Sequence, residues 1–414
     1  MQKITLNNGL SAVVKVNKDT PRIALNLYLT ITNPEEKAGT YTLLNRLFAQ
    51  GTLKRTSEEL AQELEENAIE LYSEMKHDFI RFKILCLNED FDHALEILED
   101  VLFNSQLSTF DKEVTKLRGE ITAELDSPRT KAIDNFYKTI YANHFYGNTY
   151  TKTLESLDSI TIDDVRAAYK SILETSKKNI CVVGDIDIDK TKQLLEKHLA
   201  NIVVNDLEAK ELPVPTLTED KVVTIAKEDA NQAQIIQGWI FPSFHSEDYP
   251  AISLLNTMLG SCGLSARLFL ELREKQGLAY VVRSSYDTYK LSACLSVYIA
   301  TEPKNIKTCL EGFKKEIDKI QDVMVSDEEL ENAKNNLIGK RQFFTETNAM
   351  QSSLIGLYES EDLGYEYEEQ LRKALKAVTK EQIQQVAKKY FSTPKVLSIL
   401  APKQYLSMAE NVVL

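Results

Sequence analysis

Arg22-Ile23-Ala24-Leu25-Asn26-Leu27-Tyr28-Leu29-Thr30-Ile31 is the stretch from which the fold can be read. Ile23, Leu25, Leu27, Leu29 and Ile31 alternate with Ala24, Asn26, Tyr28 and Thr30, and a period of two assigns each set to one face of a β-strand. One face reads as buried and the other as partly polar, the pattern of an antiparallel sheet covered on one side. A second alternating run, His77 to Leu87, sets Ile80, Phe82, Ile84 and Cys86 opposite Arg81 and Lys83, and a third apolar run spans Asn179 to Gly184.

Helices are expected between these runs. Thr56-x-x-Glu59 and Thr161-x-x-Asp164 have the spacing of capping boxes, in which side chains satisfy the orphan amides of a first turn. After Phe91, the positions Ala94, Leu95, Ile97, Leu98, Val101 and Leu102 form a stripe of helical period, and a longer polar helix is predicted from Lys112 to about Tyr141. The order then repeats. A strand is expected at Ala233 to Phe241, a helix at Tyr249 to Leu259, strands at Ala279 to Tyr286 and Leu291 to Thr301, and a last strand near Val396 to Leu400. Ile23 with Gln234, Ile80 with Cys294 and Ile180 with Val396 are each displaced by roughly 210 residues, which indicates a duplicated unit.

The expected fold is therefore α+β: two homologous repeat domains, each a mostly antiparallel sheet covered by helices, forming a clam-shell around a cleft, a favoured place for a ligand. Residues 1–204 and 221–414 are the expected domains. The linker is 205–220, where Pro213 and Pro215 stand among Glu, Lys and Thr without a periodicity to hold them in either core.

Composition sets the class. With 414 residues, 43% of them hydrophobic, the chain can fill more than one core, and 27% charged residues with few Gly and Pro excludes low-complexity character. A net charge of −13 opposes the nucleic-acid backbone, and no cluster of Lys and Arg interleaved with aromatics offsets it, so nucleic acid is excluded as a partner. No run of about 18 apolar residues offers a membrane span, and the start, Met1 to Gly9, lacks the apolar stretch of a secretion signal. The chain as given reads as cytoplasmic, or periplasmic if a signal was removed. Cys86, Cys181, Cys262, Cys294 and Cys309 are odd in number, lack Cys-x-x-Cys spacing and mostly sit in apolar runs, as reduced core cysteines do.

Chemistry is sparse. His77, His93, His144, His198 and His245 include no pair at the i, i+4 spacing that sets two imidazoles on one helical face, so no intrinsic catalytic zinc site is expected. No Gly-x-Ser-x-Gly elbow occurs, and Ser261-Cys262-Gly263 has no evident histidine partner. Leu259-Gly260-Ser261-Cys262-Gly263-Leu264-Ser265 reads as a loop between helices, because no strand precedes it and no Lys-Ser/Thr follows, as a phosphate loop requires. In Arg267 to Tyr280, Gly277 fits the position just past a helix end, with a strand beginning at once. On pattern alone Arg273 is a solvated helix residue and Tyr280 a half-buried strand residue.

Read together, these segments resemble the pitrilysin, insulin-degrading enzyme and mitochondrial processing peptidase family, the inverzincins, over nearly the whole chain. Glu36-Lys37-Ala38-Gly39 followed by Leu47-Phe48-Ala49-Gln50-Gly51-Thr52 is similar to the family's frame around His-x-x-Glu-His, and Val183-Gly184-Asp185-Ile186 resembles the strand closing its first domain. Leu259-Gly260 to Arg267-Leu268, then Arg273-Glu274-Lys275-Gln276-Gly277-Leu278-Ala279-Tyr280, resembles its second-half signature. Counting back from Gly51-Thr52 along that frame, the first histidine falls on Thr42, the general-base glutamate on Asn45 and the second histidine on Arg46. The distal glutamate ligand aligns with Glu120, and a pairing of Arg46 with Glu120 is expected.

The resemblance implies a division of labour. Arg273 and Tyr280 match the arginine and tyrosine, seven positions apart, that reach a substrate near zinc in family members, where two strong donors can hold a peptide carbonyl and its developing oxyanion. Some bacterial relatives work as pairs, and this chain resembles their zinc-motif-lacking subunit. The expected cofactor complement is none in this chain and zinc in a homologous zinc-bearing peptidase partner. The expected substrate is a peptide or unfolded polypeptide that adds a strand to a sheet edge. The alternative is a catalytically inactive homologue serving as a peptide-binding or scaffold subunit.

Overall fold

In the computed structural model, which describes residues 1–204 and 211–410, two sheets carry the chain. The strands are β1 Gln2–Thr5, β2 Ser11–Val16, β3 Arg22–Thr30, β4 Glu70–Met75, β5 Phe79–Leu87, β6 Lys177–Gly184, β7 Lys221–Ala226, β8 Ala233–Phe241, β9 Ala279–Thr288, β10 Ala293–Thr301 and β11 Lys395–Ala401. The first sheet has the order β1-β2-β6-β3-β5-β4 and the second β7-β11-β8-β10-β9. In each, one pair is parallel, β2 with β6 and β7 with β11, and the rest are antiparallel. The two orders coincide once β1 is set aside, so the duplication read from sequence spacing is a duplication of topology.

The helices follow in chain order: α1 Thr40–Leu47, α2 Ser57–Glu66, α3 Phe91–Asn104, α4 Phe110–Asp126, α5 Pro128–Ile140, α6 Tyr150–Leu157, α7 Ile162–Thr175 and α8 Ile188–His198. In the second half they are α9 Tyr249–Asn256, α10 Ile306–Asp322, α11 Asp327–Gln342, α12 Asn348–Ser360, α13 Tyr367–Ala377, α14 Lys380–Phe391 and α15 Lys403–Glu410. Both expected capping boxes form, at Thr56 with Glu59 and at Thr161 with Asp164. The five cysteines are all free, and all but Cys262 are buried.

Two compact units result, and neither is contiguous. The first comprises Met1–Gly119, Thr153–Leu212 and Gln342–Glu368, and the second Glu120–Lys152, Pro213–Arg341 and Glu369–Leu414. The expected division at residues 204 and 221 keeps the strands of each sheet together but misses an exchange of helices. The predicted single helix from Lys112 to Tyr141 breaks at Ser127, whose side chain caps α5 while Pro128 takes its first position, where a missing N–H costs nothing. Released from α4, α5 packs on β8 and β11 of the second sheet. Phe136 is fully buried there, and Ser398 Oγ donates to Ala132 O at 3.2 Å.

The reciprocal helix is α12, which covers β3 and β6 of the first sheet. This corrects the expectation of one covered face, because every residue of β3 after Arg22 is buried. The polar residues on that face are met by α12: Asn26 Nδ2 donates to Ser352 Oγ at 2.6 Å, Tyr28 Oη to Ser353 O at 2.7 Å and Asn179 Nδ2 to Gly356 O at 2.9 Å. Amphipathic alternation read as solvent exposure was hydrogen-bonded contact with a helix encoded some 320 residues away.

Of the expected linker, residues 205–210 lie outside the described residues. Its remainder forms no helix or strand, yet Leu217 packs against the core beneath α5 and Pro213 O accepts from His144 Nε2 at 2.9 Å, so this stretch is not free of both cores as expected. The expected helix Tyr249 to Leu259 is α9 followed by a π-helical turn, Thr257–Ser261, so the expected Leu259–Ser265 loop starts only at Cys262.

Candidate functional site

Of the first-half candidates, Thr42, Asn45 and Arg46 sit on α1 and Glu120 on α4. Glu35, five residues before the start of α1, anchors that helix with two side-chain bonds: Oε1 accepts from Gly39 N at 3.0 Å and Oε2 from Tyr41 N at 2.7 Å. A carboxylate on orphan amides is favoured by both hydrogen bonding and the helix dipole. Tyr41, Leu43, Leu44 and Leu47 are buried, which turns Thr42, Asn45 and Arg46 onto a common, half-buried face by their i, i+3, i+4 spacing. Asn45 is tied to β4, its Nδ2 donating to Ser73 O at 3.4 Å while Ser73 Oγ donates to Asn45 O at 3.1 Å.

Arg46 Nε donates to Glu113 Oε2 at 2.9 Å. Glu113, on α4, is nearly fully buried, and its other oxygen accepts from Lys116 Nζ at 2.8 Å. Burial pushes this carboxyl upward, but the hydrogen bonds from Lys116 and Arg46 outweigh it and hold the group below its ordinary range. Glu120 lies two helical turns further along α4 and is exposed. Glu113 was not singled out from sequence; its signal was the i, i+7 spacing that gives it the same face as Glu120, with a lysine three residues on.

A zinc ion does not fit this set. Thr42, Asn45 and Arg46 offer a hydroxyl, an amide and a cation where imidazoles and a carboxylate would be needed, and the guanidinium is already spent on Glu113. Among the described residues no three His, Cys, Asp or Glu side chains are grouped to hold a metal ion.

The second-half candidates converge. Arg273 lies in a π-helical segment, Phe269–Lys275, that ends at Gln276 and Gly277. Gly277 takes φ +63° and donates its N–H to Arg273 O at 3.0 Å, the left-handed turn that glycine adopts without a Cβ penalty. The reversal feeds straight into β9, an edge strand. Arg273 Nη1 then donates to Tyr280 O at 2.7 Å, and its guanidinium carbon stands 4.8 Å from the Tyr280 ring centroid and 4.7 Å from that of Phe269. The β9–β10 register slips here, Ala300 facing Val281 and Thr301 facing Ala279, so Tyr280 is the extra residue of a bulge. Bulges re-aim side chains, and Tyr280 is 77% exposed. Half-buried strand character, expected from pattern alone, is therefore not what Tyr280 has.

Glu271 fixes the segment from behind. It is buried, bonded to Lys315 and Lys275, and accepts from Gln276 Nε2 at 3.2 Å. Lys315 chiefly, and Lys275, bring its carboxyl down to about 2. Arg267, at the head of the segment, grips Glu329 with two bonds of 2.6 and 2.8 Å. A rigidly seated helix thus presents one guanidinium and one phenol at its C-terminal exit, two directional donors beside the open edge of a sheet.

Comparison with known proteins agrees with this architecture. The family model described as insulinase, peptidase family M16, matches residues 29–154, and that described as peptidase M16 inactive domain matches residues 159–337. An uncharacterized zinc protease of Mycobacterium leprae is 24% identical over 97% of this chain and 91% of its own length. The uncharacterized zinc protease YmxG of Bacillus subtilis is 24% identical over 97% and 98%. Among solved structures, a peptidase M16 inactive domain from Pseudomonas fluorescens superposes with a TM-score of 0.89 at 19% identity, covering 97% of this chain and 98% of that one. A protease from Helicobacter pylori gives 0.87 at 21% identity, covering 97% and 99%. No helix among the described residues is long and apolar enough to cross a membrane. With the two models together taking in well over half of its length, the chain belongs to peptidase family M16.

Proposed function

We propose that this chain is the non-zinc-binding subunit of a heteromeric zinc peptidase, and that Arg273 and Tyr280 bind the substrate carbonyl while a homologous partner chain supplies the metal. The observation that carries the reading is the pairing at 2.7 Å of Arg273 with Tyr280 O beside an exposed tyrosine, in a chain whose other half-site keeps Glu120 but has Thr42, Asn45 and Arg46 at the remaining positions. The partner's zinc supplies the hydrolytic chemistry. Here the guanidinium and phenol donate to the carbonyl oxygen as negative charge grows on it, and each is worth most when it is oriented beforehand. Glu271 and the Gly277 turn provide that orientation. The substrate is a peptide or an unfolded polypeptide, taken in extended form.

The scaffold reading draws on one observation: Arg273 Nη1 is already used on a backbone carbonyl, as a purely structural arginine would be. Co-expression with a relative carrying an intact His-x-x-Glu-His motif separates the two. Arg273→Ala should abolish peptide hydrolysis by the complex without dissociating it, whereas unchanged hydrolysis removes the catalytic reading. Metal analysis of the isolated chain should find no stoichiometric zinc. One equivalent of zinc, lost on Glu120→Gln, would contradict the assignment of the first half.

A further inference from the structure

Arginines in this chain are mostly matched to carboxylates. Arg55 meets Glu63, Glu96 and Asp100, Arg267 grips Glu329, and Arg81, Arg166 and Arg372 pair with Glu74, Asp163 and Glu369. Arg129 and Arg283 are not. Among the described residues neither guanidinium has an ion pair or a hydrogen bond; instead both rest on Tyr298, with their central carbons 5.3 and 5.8 Å from its ring centroid.

The arrangement is built from three elements of the second unit. Arg129 comes from the first turn of α5, Arg283 from β9 and Tyr298 from β10, where it is the register partner of Arg283. The Tyr298 ring is buried and its hydroxyl donates to Gln234 Oε1 at 2.6 Å, so the platform cannot turn away. Both arginines are exposed. Burial raises the Tyr298 phenol while both guanidiniums act to lower it, so each is electrostatically coupled to the same ring.

Two like charges brought to one ring repel each other, and although the chain carries a net charge of −13, among the described residues no carboxylate is paired with either. Asp287, four residues along β9, is engaged by Tyr137 Oη at 2.6 Å. A planar carboxylate accepts from two guanidinium forks at once and relieves that repulsion. Arg283 also lies three residues beyond Tyr280 on the same edge strand.

We propose that Arg129 and Arg283, laid on the Tyr298 ring, bind a carboxylate of the peptide ligand, supplied by an acidic side chain or by a free C-terminus. The inference rests on the reading of this chain as a peptide-binding subunit, and it adds a preference for acidic or C-terminal segments. The test uses the full-length chain alone and follows binding by fluorescence anisotropy. Three dye-labelled peptides of one sequence serve as probes: one with an internal glutamate and an amidated C-terminus, one with glutamine and a free C-terminus, and one with glutamine and an amide. One of the carboxylate peptides should bind about tenfold more tightly than the neutral one. That preference should vanish in Arg129→Gln and in Arg283→Gln, and the peptide that responds identifies the source of the carboxylate. Equal affinity for all three, absence of binding, or a preference untouched by both substitutions overturns the proposal. No hydrolysis or partner enters this measurement, so its failure is distinguishable from failure of the Arg273→Ala test.

Discussion

Gly356 of α12 lies directly against the ring of Tyr28 on β3: a Cβ on Gly356 would stand 2.6 Å from Tyr28 Cε2. The ring has no room to yield, being buried, with its hydroxyl on Ser353 O and Arg81 Nη1 bonded to that hydroxyl at 3.3 Å. Gly356→Ala should therefore destabilise the protein although alanine is the better helix former. Overpacking costs ~1–3 kcal/mol, against a propensity gain of ~1 kcal/mol. Thermal unfolding of the variant should show a lowered Tm, and an unchanged Tm would mean that α12 is not pressed on β3 as described.

Glu271 makes stability depend on acid. Its carboxyl is brought from 4.5 to about 2 by Lys315 first and Lys275 second. A depressed folded value means fewer protons bound in the folded state, so the contribution is complete above the unfolded value and disappears as pH falls from about 4.5 through about 2. The stability difference between wild type and Glu271→Gln should be constant above pH ~5 and shrink steadily below pH ~4. A difference independent of pH would show that the carboxylate is not the stabilising form.

Arg46 and Glu113 are coupled, and breaking the pair from either end has unequal consequences. Arg46→Met leaves a buried carboxylate with Lys116 alone and should cost ~1–3 kcal/mol. Glu113→Gln combined with Arg46→Met should cost less than the two separate losses together, because no charge is then stranded. Urea unfolding of the four proteins gives the coupling energy, and additivity would contradict the 2.9 Å bond.

Tyr280 and Arg273 should fail in different ways within an active complex. Tyr280→Phe keeps the ring on which Arg273 rests but removes the phenolic donor, and should lower kcat by ~10²-fold with little change in KM. Arg273→Lys keeps the charge but loses the planar fork and the bond to Tyr280 O, so both kcat and the order of the β9 entry should suffer. Equal, small effects on KM alone would favour a scaffold role.

Much of this architecture was legible because each signal was local. The alternation of β3 and β5, the stripe of α3 and the two capping boxes depend on residues within a few positions of one another, and the structure places them within a residue or two of expectation. What escaped reading was decided at long range. β2 is buried at Ala12, Val13 and Val14 because it runs parallel to β6, so it shows a short apolar run without the alternation that marks a strand. The break at Ser127-Pro128 was missed in favour of one continuous helix, and its purpose lies in packing on another sheet, where α5 goes. At the candidate site, Arg273 and Tyr280 carried a motif, whereas Glu113, Glu271 and the Arg129–Tyr298–Arg283 stack belong to no short pattern; only folding brings their partners to them.

The traded helices bear on how this chain can be divided. Cutting it at the linker would give two polypeptides of nearly equal length, each with its own sheet, and neither would be a finished domain. The first would retain α5 with nothing to cover and lack α12, leaving Asn26, Tyr28 and Asn179 with bare polar groups; the second would expose the surface that Phe136 fills. Split halves should therefore be insoluble apart and recover by complementation when mixed. Each half of the sequence thus carries the cover for the other half's sheet, and the two are finished only as one chain.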